Sequence, residues 1–301
     1  MQWNNLLQEI QNKNVKALAR AISLIENEFA GYEDFLKLLP FSTKKIIGIT
    51  GPPGAGKSTI VDCLINEFAV NNNRVAVLCI DPSSPFTQGA LLGDRIRMNE
   101  WYNNPNVYIR SLASRGSMHG LHPKIIEITD VLKAAPFDII IIETVGAGQV
   151  EPEIARLADT SVVVLVPEAG DEIQNMKAGL MEIADIFVIN KADRPEADRF
   201  VKNLRAMLPL SLHEKQKKAP VLKTIATEKK GIKELLETII KHQQTETEKL
   251  KSFMMQAEEV YKLIEQKRMS DIDIKKLASE IERLSADKNF SLYRFAETFG
   301  K

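Results

Sequence analysis

The sequence is short of the features that mark most specialised proteins. Among its 301 residues it has only two cysteines, Cys63 and Cys79, one in a predicted helix and one in a predicted strand. Two such residues make no disulfide framework, so buried thiols in a reducing compartment are expected. No charge sign dominates: 40 basic residues face 40 acidic ones. A net charge of zero provides no general attraction to nucleic acid or an anionic membrane. Long apolar runs are missing too. The longest aliphatic stretches, residues 139–142 and 162–166, fall far short of a bilayer span. The first twenty residues are amphipathic, contain Glu9 and are not Arg-rich, which argues against a signal or transit peptide. No internal repeat or low-complexity tract is visible. With 44% hydrophobic and 27% charged residues, the composition is that of an ordinary soluble globular protein, and a cytoplasmic location is expected.

Against that plain background one segment stands out. Gly51-Pro52-Pro53-Gly54-Ala55-Gly56-Lys57-Ser58-Thr59 fits Gly-x-x-x-x-Gly-Lys-[Ser/Thr]. The apolar run 46–49 precedes it as a strand candidate, and helical apolar spacing follows from Ile60 to Ile65. Strand, glycine loop and helix is the arrangement that phosphate binding needs. Glycines let backbone amides close on a β-phosphate, and the helix start adds partial positive charge. Lys57 is placed to reach the β- and γ-phosphates, and Ser58 to ligate magnesium.

The chain divides into three stretches. Residues 1–43 carry helical spacing, interrupted at Gly31 and closed at Pro40. Residues 44–243 alternate strand-like and helix-like segments, with strands predicted at 46–50, 75–80, 107–110, 139–143, 162–166, 186–190 and 221–225. Most are continuous aliphatic runs, as expected of strands buried on both faces of a parallel sheet. The fold class is therefore α/β: a doubly wound, mostly parallel sheet of the P-loop NTPase kind (a G domain), with N- and C-terminal helical extensions. Residues 244–301 are charge-rich, with apolar positions at Val260, Tyr261, Ile264, Ile272, Ile274, Leu277, Ile281 and Leu284. They read as two or three helices, either an arm for self-association into a homodimer or a cover for the sheet edge.

Asn190-Lys191-Ala192-Asp193 follows the sixth predicted strand. A carboxylate at Asp193 can accept from guanine N1–H and the 2-amino group together; adenine offers neither donor there. Asn190 would bond the purine and the loop, and the Lys191 stem would lie over the ring. Downstream, Ala226 and Thr227 are placed to present backbone amides to the guanine oxygen. The expected ligands are GTP or GDP with Mg2+. Asp81, Asp94 and Glu143, with Ser58, are the candidate metal shell, since magnesium takes oxygen ligands. Gly146 and Gly148 give the loop after Glu143 the freedom of a switch. Gln149 is the best available water-positioning residue, and Arg95, Arg97 and Arg115 are candidate charge stabilisers or surface arginines. Slow turnover accelerated by a partner is expected. His119 and His122, with Pro123 next, read as loop residues.

These segments, in order over roughly residues 45–230, resemble the MeaB-type (ArgK-type) GTPase chaperones of adenosylcobalamin-dependent methylmalonyl-CoA mutase. The similarity adds Asp81-Pro82-Ser83-Ser84-Pro85, Gly93-Asp94-Arg95, Ser114-Arg115-Gly116, Glu143-Thr144-Val145-Gly146-Ala147-Gly148-Gln149 and Ala169-Gly170-Asp171-Glu172-Ile173-Gln174 to the motifs above. It implies a homodimer that gates cofactor loading and protects an acyl-CoA mutase. It also implies a further switch from Asp171 to Lys177. Ser117-Met118-His119-Gly120 and Glu168 depart from the family pattern in loops that would sense the partner. The alternatives are a metallochaperone GTPase for nickel-enzyme maturation, which calls for a surface Cys/His cluster, and a kinase of a periplasmic-transport protein, which calls for a phosphoacceptor site.

Overall fold

The computed structural model describes residues 2–81, 98–114, 121–144, 151–167, 180–208, 219–269, 272–285 and 290–299. Seven strands form one sheet: β1 (Ile46–Thr50), β2 (Val75–Asp81), β3 (Val107–Ala113), β4 (Ile139–Thr144), β5 (Thr160–Leu165), β6 (Ile186–Ile189) and β7 (Val221–Lys223). The order is β3-β2-β4-β1-β5-β6-β7, and every pairing is parallel. Because all strands run one way, their carboxyl ends share one edge. The chain passes from β1 to β2 on one side of β1 and from β4 across β1 to β5 on the other, so the connections change direction at β1, where open α/β sheets take ligands. Strand β3 runs three residues past the predicted 107–110, while β7 stops at Lys223. Beyond it Ile225 and Lys230 close a small antiparallel bridge instead.

Alternation within each strand sends side chains to both faces of the sheet, where three core clusters form. Ile47, Ile49, Val75, Val77 and Cys79 face helix α4 (Lys57–Val70) and a later helix, Ile232–Gln243. Ile46, Ala76, Leu78 and Ile80 face the opposite layer, which the N-terminal helices complete. Those helices are α1 (Trp3–Gln11), α2 (Val15–Glu26) and α3 (Tyr32–Leu36). Asn14 caps α2 by accepting from Lys16 N and Ala17 N at 3.0 and 3.1 Å. Leu18, Ile22, Ile25 and Phe35 are buried in that core, and Arg110 of β3 reaches Glu26 and Ser23 of α2. The N-terminal stretch thus closes one face of the sheet. Gly48 in β1 makes that face tight: a Cβ there would lie 2.7 Å from Ile154 Cγ1 and 2.8 Å from Ala158 Cβ.

Residues 1–249 form one compact unit and 250–301 a second. The long helix Glu246–Arg268 runs from the first into the second, which also contains helices Ile274–Leu284 and Leu292–Thr298. Asp273 caps the middle one through Lys275 N at 2.8 Å, and Phe295 packs between Phe290 and Phe299. No described helix is long and apolar enough to cross a membrane.

Candidate functional site

The loop between β1 and α4 is shaped by glycines that no other residue can replace without rearrangement. Gly51 has φ 138°, and a Cβ on it would sit 2.0 Å from the Val164 carbonyl oxygen of β5. Gly56, at φ 89°, is the residue before α4, and its Cβ would meet Asn190 Nδ2 at 2.3 Å. Backbone therefore runs against backbone at the loop's entry and against a side chain at its exit. The crest at Pro53 and Gly54 is exposed, whereas Lys57 and Ser58 are buried beneath it. Thr59 is exposed on the first turn of α4.

Lys57 Nζ donates to the carbonyls of Gly51 and Pro52 at 2.8 and 3.0 Å, so the ammonium sits under the loop. Ser58 Oγ donates to Glu143 Oε1 at 2.7 Å, across 85 residues of sequence. Glu143 is next to last in β4, 5% exposed, and in register with Ile49 of β1 and Cys79 of β2. Thr144, one residue on, donates to Thr50 Oγ1 at 2.8 Å, tying the ends of β4 and β1 together. A buried carboxylate and a hydroxyl in contact offer oxygen donors only, which suits a hard divalent cation such as magnesium. Asp81 ends β2 at the same edge of the sheet. Asp94, Gln149, Gly146, Gly148, Arg95, Arg97, Arg115, His119 and the 171–177 segment lie outside the described residues. His122 is buried, and its Nδ1 accepts from Lys124 N at 3.0 Å, a loop role at the start of the next helix.

Asn190 is the hub of the second half of the site. Its Nδ2 donates to the Ala55 carbonyl at 2.9 Å, while its Oδ1 accepts from Thr224 Oγ1 at 3.1 Å and Ala226 N at 3.2 Å. One buried amide thus clamps the phosphate loop to the loop after β7. Lys191 takes a left-handed φ of 56°, turning the chain at the end of β6, and Ala192 N donates to Thr224 O at 3.0 Å. Asp193 and Thr227 are exposed beside this clamp. The Lys230 ammonium is held above the usual lysine range, first by its bond to Glu228 and then by Glu228's charge, with Asp193 adding to the effect.

The structure thus joins Ser58 to Glu143, holds Lys57 under the loop at Gly51 and Pro52, and links Ala55, Asn190 and Ala226 in a further group that shares the loop. Cys63 Sγ, on α4, donates to the Ala226 carbonyl at 3.3 Å. Trp101 Nε1 donates to Asp62 Oδ1 at 2.6 Å on the same helix. No motif flags Cys63, Asp62 or Thr224; their parts follow from neighbours distant in sequence.

Comparison with known proteins agrees with this geometry. The family model for the methylmalonyl-CoA mutase-associated GTPase MeaB matches residues 18–279. A Pyrococcus abyssi protein named as a GTPase is 48% identical over 246 residues, covering 80% of this chain and 76% of that one. The Escherichia coli GTPase ArgK is 36% identical over 234 residues, covering 74% and 70%. A fused isobutyryl-CoA mutase of Geobacillus kaustophilus is 40% identical over 200 residues, 62% of this chain and 18% of that protein. In fold, the chain is similar to the crystal structure of an LAO/AO transport system kinase, with a TM-score of 0.70, 23% identity, and 97% and 94% of the two chains covered. A phosphate loop and Asn-hub site on a parallel sheet, matched over most of its length by this family, make the chain a guanine-nucleotide-binding GTPase that belongs to the MeaB family.

Proposed function

We propose that the protein is a GTP-hydrolysing chaperone that assists cofactor loading, and the protection, of an adenosylcobalamin-dependent acyl-CoA mutase of the methylmalonyl-CoA type. The observation that carries the partner is the fused isobutyryl-CoA mutase, a protein in which a stretch 40% identical to this chain is covalently joined to a mutase. Fusion of two activities in one relative supports association of the separate chains in another.

In this reading the loop Gly51–Thr59 holds the phosphates. Lys57 exchanges its two neutral carbonyl partners for phosphate oxygens, a stronger charge-assisted bond. Asn190, Lys191 and Asp193 hold guanine, with Ala226 and Thr227 closing over its oxygen. Magnesium, when bound, neutralises developing charge on the phosphates, and the Ser58–Glu143 pair, with Asp81 and Asp94, would hold it. Ser58 would offer an Oγ lone pair to the metal, and its 2.7 Å bond to Glu143 ties that ligand to the end of β4, where the chain enters the 145–150 segment that contains Gln149. The exposed apolar residues of helix Glu246–Arg268, among them Phe253, Val260, Tyr261 and Ile264, support a homodimer.

The test mixes full-length protein with a purified methylmalonyl-CoA mutase from the same host and follows GTP turnover and co-elution. A stable complex and a several-fold rise in turnover are expected. Unchanged turnover with no complex would reject the mutase role and leave the GTPase intact. Light scattering of a variant lacking residues 246–301 tests the dimer: an unchanged mass would overturn it.

A further inference from the structure

The guanine side of the site is fastened to helix α4 by a contact that no phosphate or base motif contains. Cys63 is 3% exposed, and its thiol lies 3.3 Å from the Ala226 carbonyl oxygen. Ala226 N is held from the other side by Asn190 Oδ1, and Asn190 Nδ2 in turn holds Ala55. From Ala55 the chain returns to Cys63 through the first two turns of α4. The ring Ala55–Asn190–Ala226–Cys63 is therefore closed, three links being hydrogen bonds and the fourth a helix. Ala226 O also accepts from Lys229 N at 3.1 Å, so both its lone pairs are used.

The orientation of one peptide group follows. A trans peptide points its C=O and N–H in opposite directions. With the Ala226 carbonyl aimed at Cys63, the N–H of Thr227 points away from α4, on the exposed side of the loop. Ala226 N–H is already taken by Asn190. Of the two amides in this loop that the sequence marks as readers of the guanine oxygen, Thr227 N–H is the one left facing outward.

We propose that Cys63 is a specificity-positioning residue: its thiol sets the plane of the 226–227 peptide and so aims the Thr227 amide at the guanine 6-oxo group. This inference rests on the reading of Asn190, Asp193 and the 226–227 loop as the guanine site. Burial keeps the thiol protonated, and so a donor, by pushing its ionisation upward; Asp62 pushes the same way. A serine at 63 keeps a donor on the same carbon. An alanine removes it while leaving α4 and the phosphate loop in place.

The experiment measures dissociation of GDP, and of the diphosphate of 2-aminopurine riboside, which lacks the 6-oxo group, from wild type, Cys63→Ala and Cys63→Ser. Wild type is expected to prefer GDP. Cys63→Ala should release GDP about fivefold faster, the worth of one hydrogen bond, and should release the 2-aminopurine nucleotide at the wild-type rate. Cys63→Ser should stay within about twofold of wild type for both. Equal acceleration for both nucleotides would show a packing role and overturn the proposal, as would an unchanged GDP rate in Cys63→Ala. A Cys63→Ser protein as impaired as Cys63→Ala would also overturn it. A wild type that does not distinguish the two nucleotides would instead refute the guanine-site reading itself.

Discussion

Two helices of this chain carry apolar residues at helical spacing and use them in opposite ways. On α4, Ile60, Val61, Leu64, Ile65 and Phe68 are all buried against the sheet. On helix Glu246–Arg268, Phe253, Met254, Val260, Tyr261, Leu263 and Ile264 are about half or more exposed. The first helix has a sheet face beside it; the second emerges from the sheet unit at residue 249. Periodicity alone states that a helix has an apolar side, and the surface that covers that side is a separate matter.

The sharpest way to break this contrast is a matched pair of truncations. Leu64→Ala should cost about 3 kcal/mol of unfolding free energy, as fully buried leucines do. Urea titration of the full chain reads this directly; a cost below about 1 kcal/mol would mean that the α4 core is loosely packed. Chemistry should segregate in the same way. Lys57→Ala should lower GTP turnover at least about 100-fold, the scale of losing one charged donor in a closed site, whereas Tyr261→Ala leaves turnover without a mutase unchanged. Steady-state phosphate release compares the two.

The tyrosines sharpen the contrast through pH. Tyr108 lies 7% exposed on β3, and burial first, then the nearby Glu26, pushes its ionisation up to about 12, against the opposing pull of Arg110. In the unfolded chain a tyrosine ionises near 10. The folded state thus keeps this proton longer, and its contribution is full below pH 10 and lost as pH rises through 12. Stability should fall by about 2 kcal/mol across that window, and Tyr108→Phe should remove most of that slope. Denaturant midpoints at pH 9 and 11.5 provide the check.

Smaller effects follow at the base site and the arm. Asp193→Asn should lower GTP affinity about tenfold or more by losing a charge-assisted pair of bonds, and should shift preference toward XTP, whose 2-oxo group can accept from the new amide. Competition titrations with both nucleotides test this, and an unchanged GTP affinity would sink the base assignment. Leu263→Ala, at 54% exposure, should change unfolding free energy by no more than about 0.5 kcal/mol at dilutions where the chain is monomeric. A larger loss there would mean that the arm is already packed within one chain.

Much of the fold was legible in the residues. Aliphatic runs such as 139–142 must be buried on both sides, and their alternation with helices leaves a parallel sheet as the natural solution. The site was legible where a function needs consecutive residues, as in the glycine loop and Asn190–Asp193. It was opaque where function depends on side chains that meet across long separations. Ser58 and Glu143 were both legible as members of one metal shell, but the direct 2.7 Å bond between them was not. Asn190 was expected to bond the purine and the loop; its amide does bond the loop at Ala55, and what the sequence did not indicate is that it also holds Thr224 and Ala226. Strand limits shifted for a similar reason. Strand β7 stops at Lys223 because Thr224 and Ile225 turn toward Asn190 and Lys230, a tertiary pull that β propensity does not register.

Taken alone, the sequence determined the phosphate loop, the parallel sheet, the guanine motif and the family, because each depends on local spacing or on residue type along a continuous stretch. Only the tertiary structure decided which residues share the site. Parallel strands bring their carboxyl ends to one edge regardless of order in the chain, so Thr50, Glu143, Asn190 and Ala226 lie along that one edge. The amide of Asn190 and the thiol of Cys63 then join the phosphate side to the base side, because a buried donor or acceptor left without a partner costs more than the bond itself contributes.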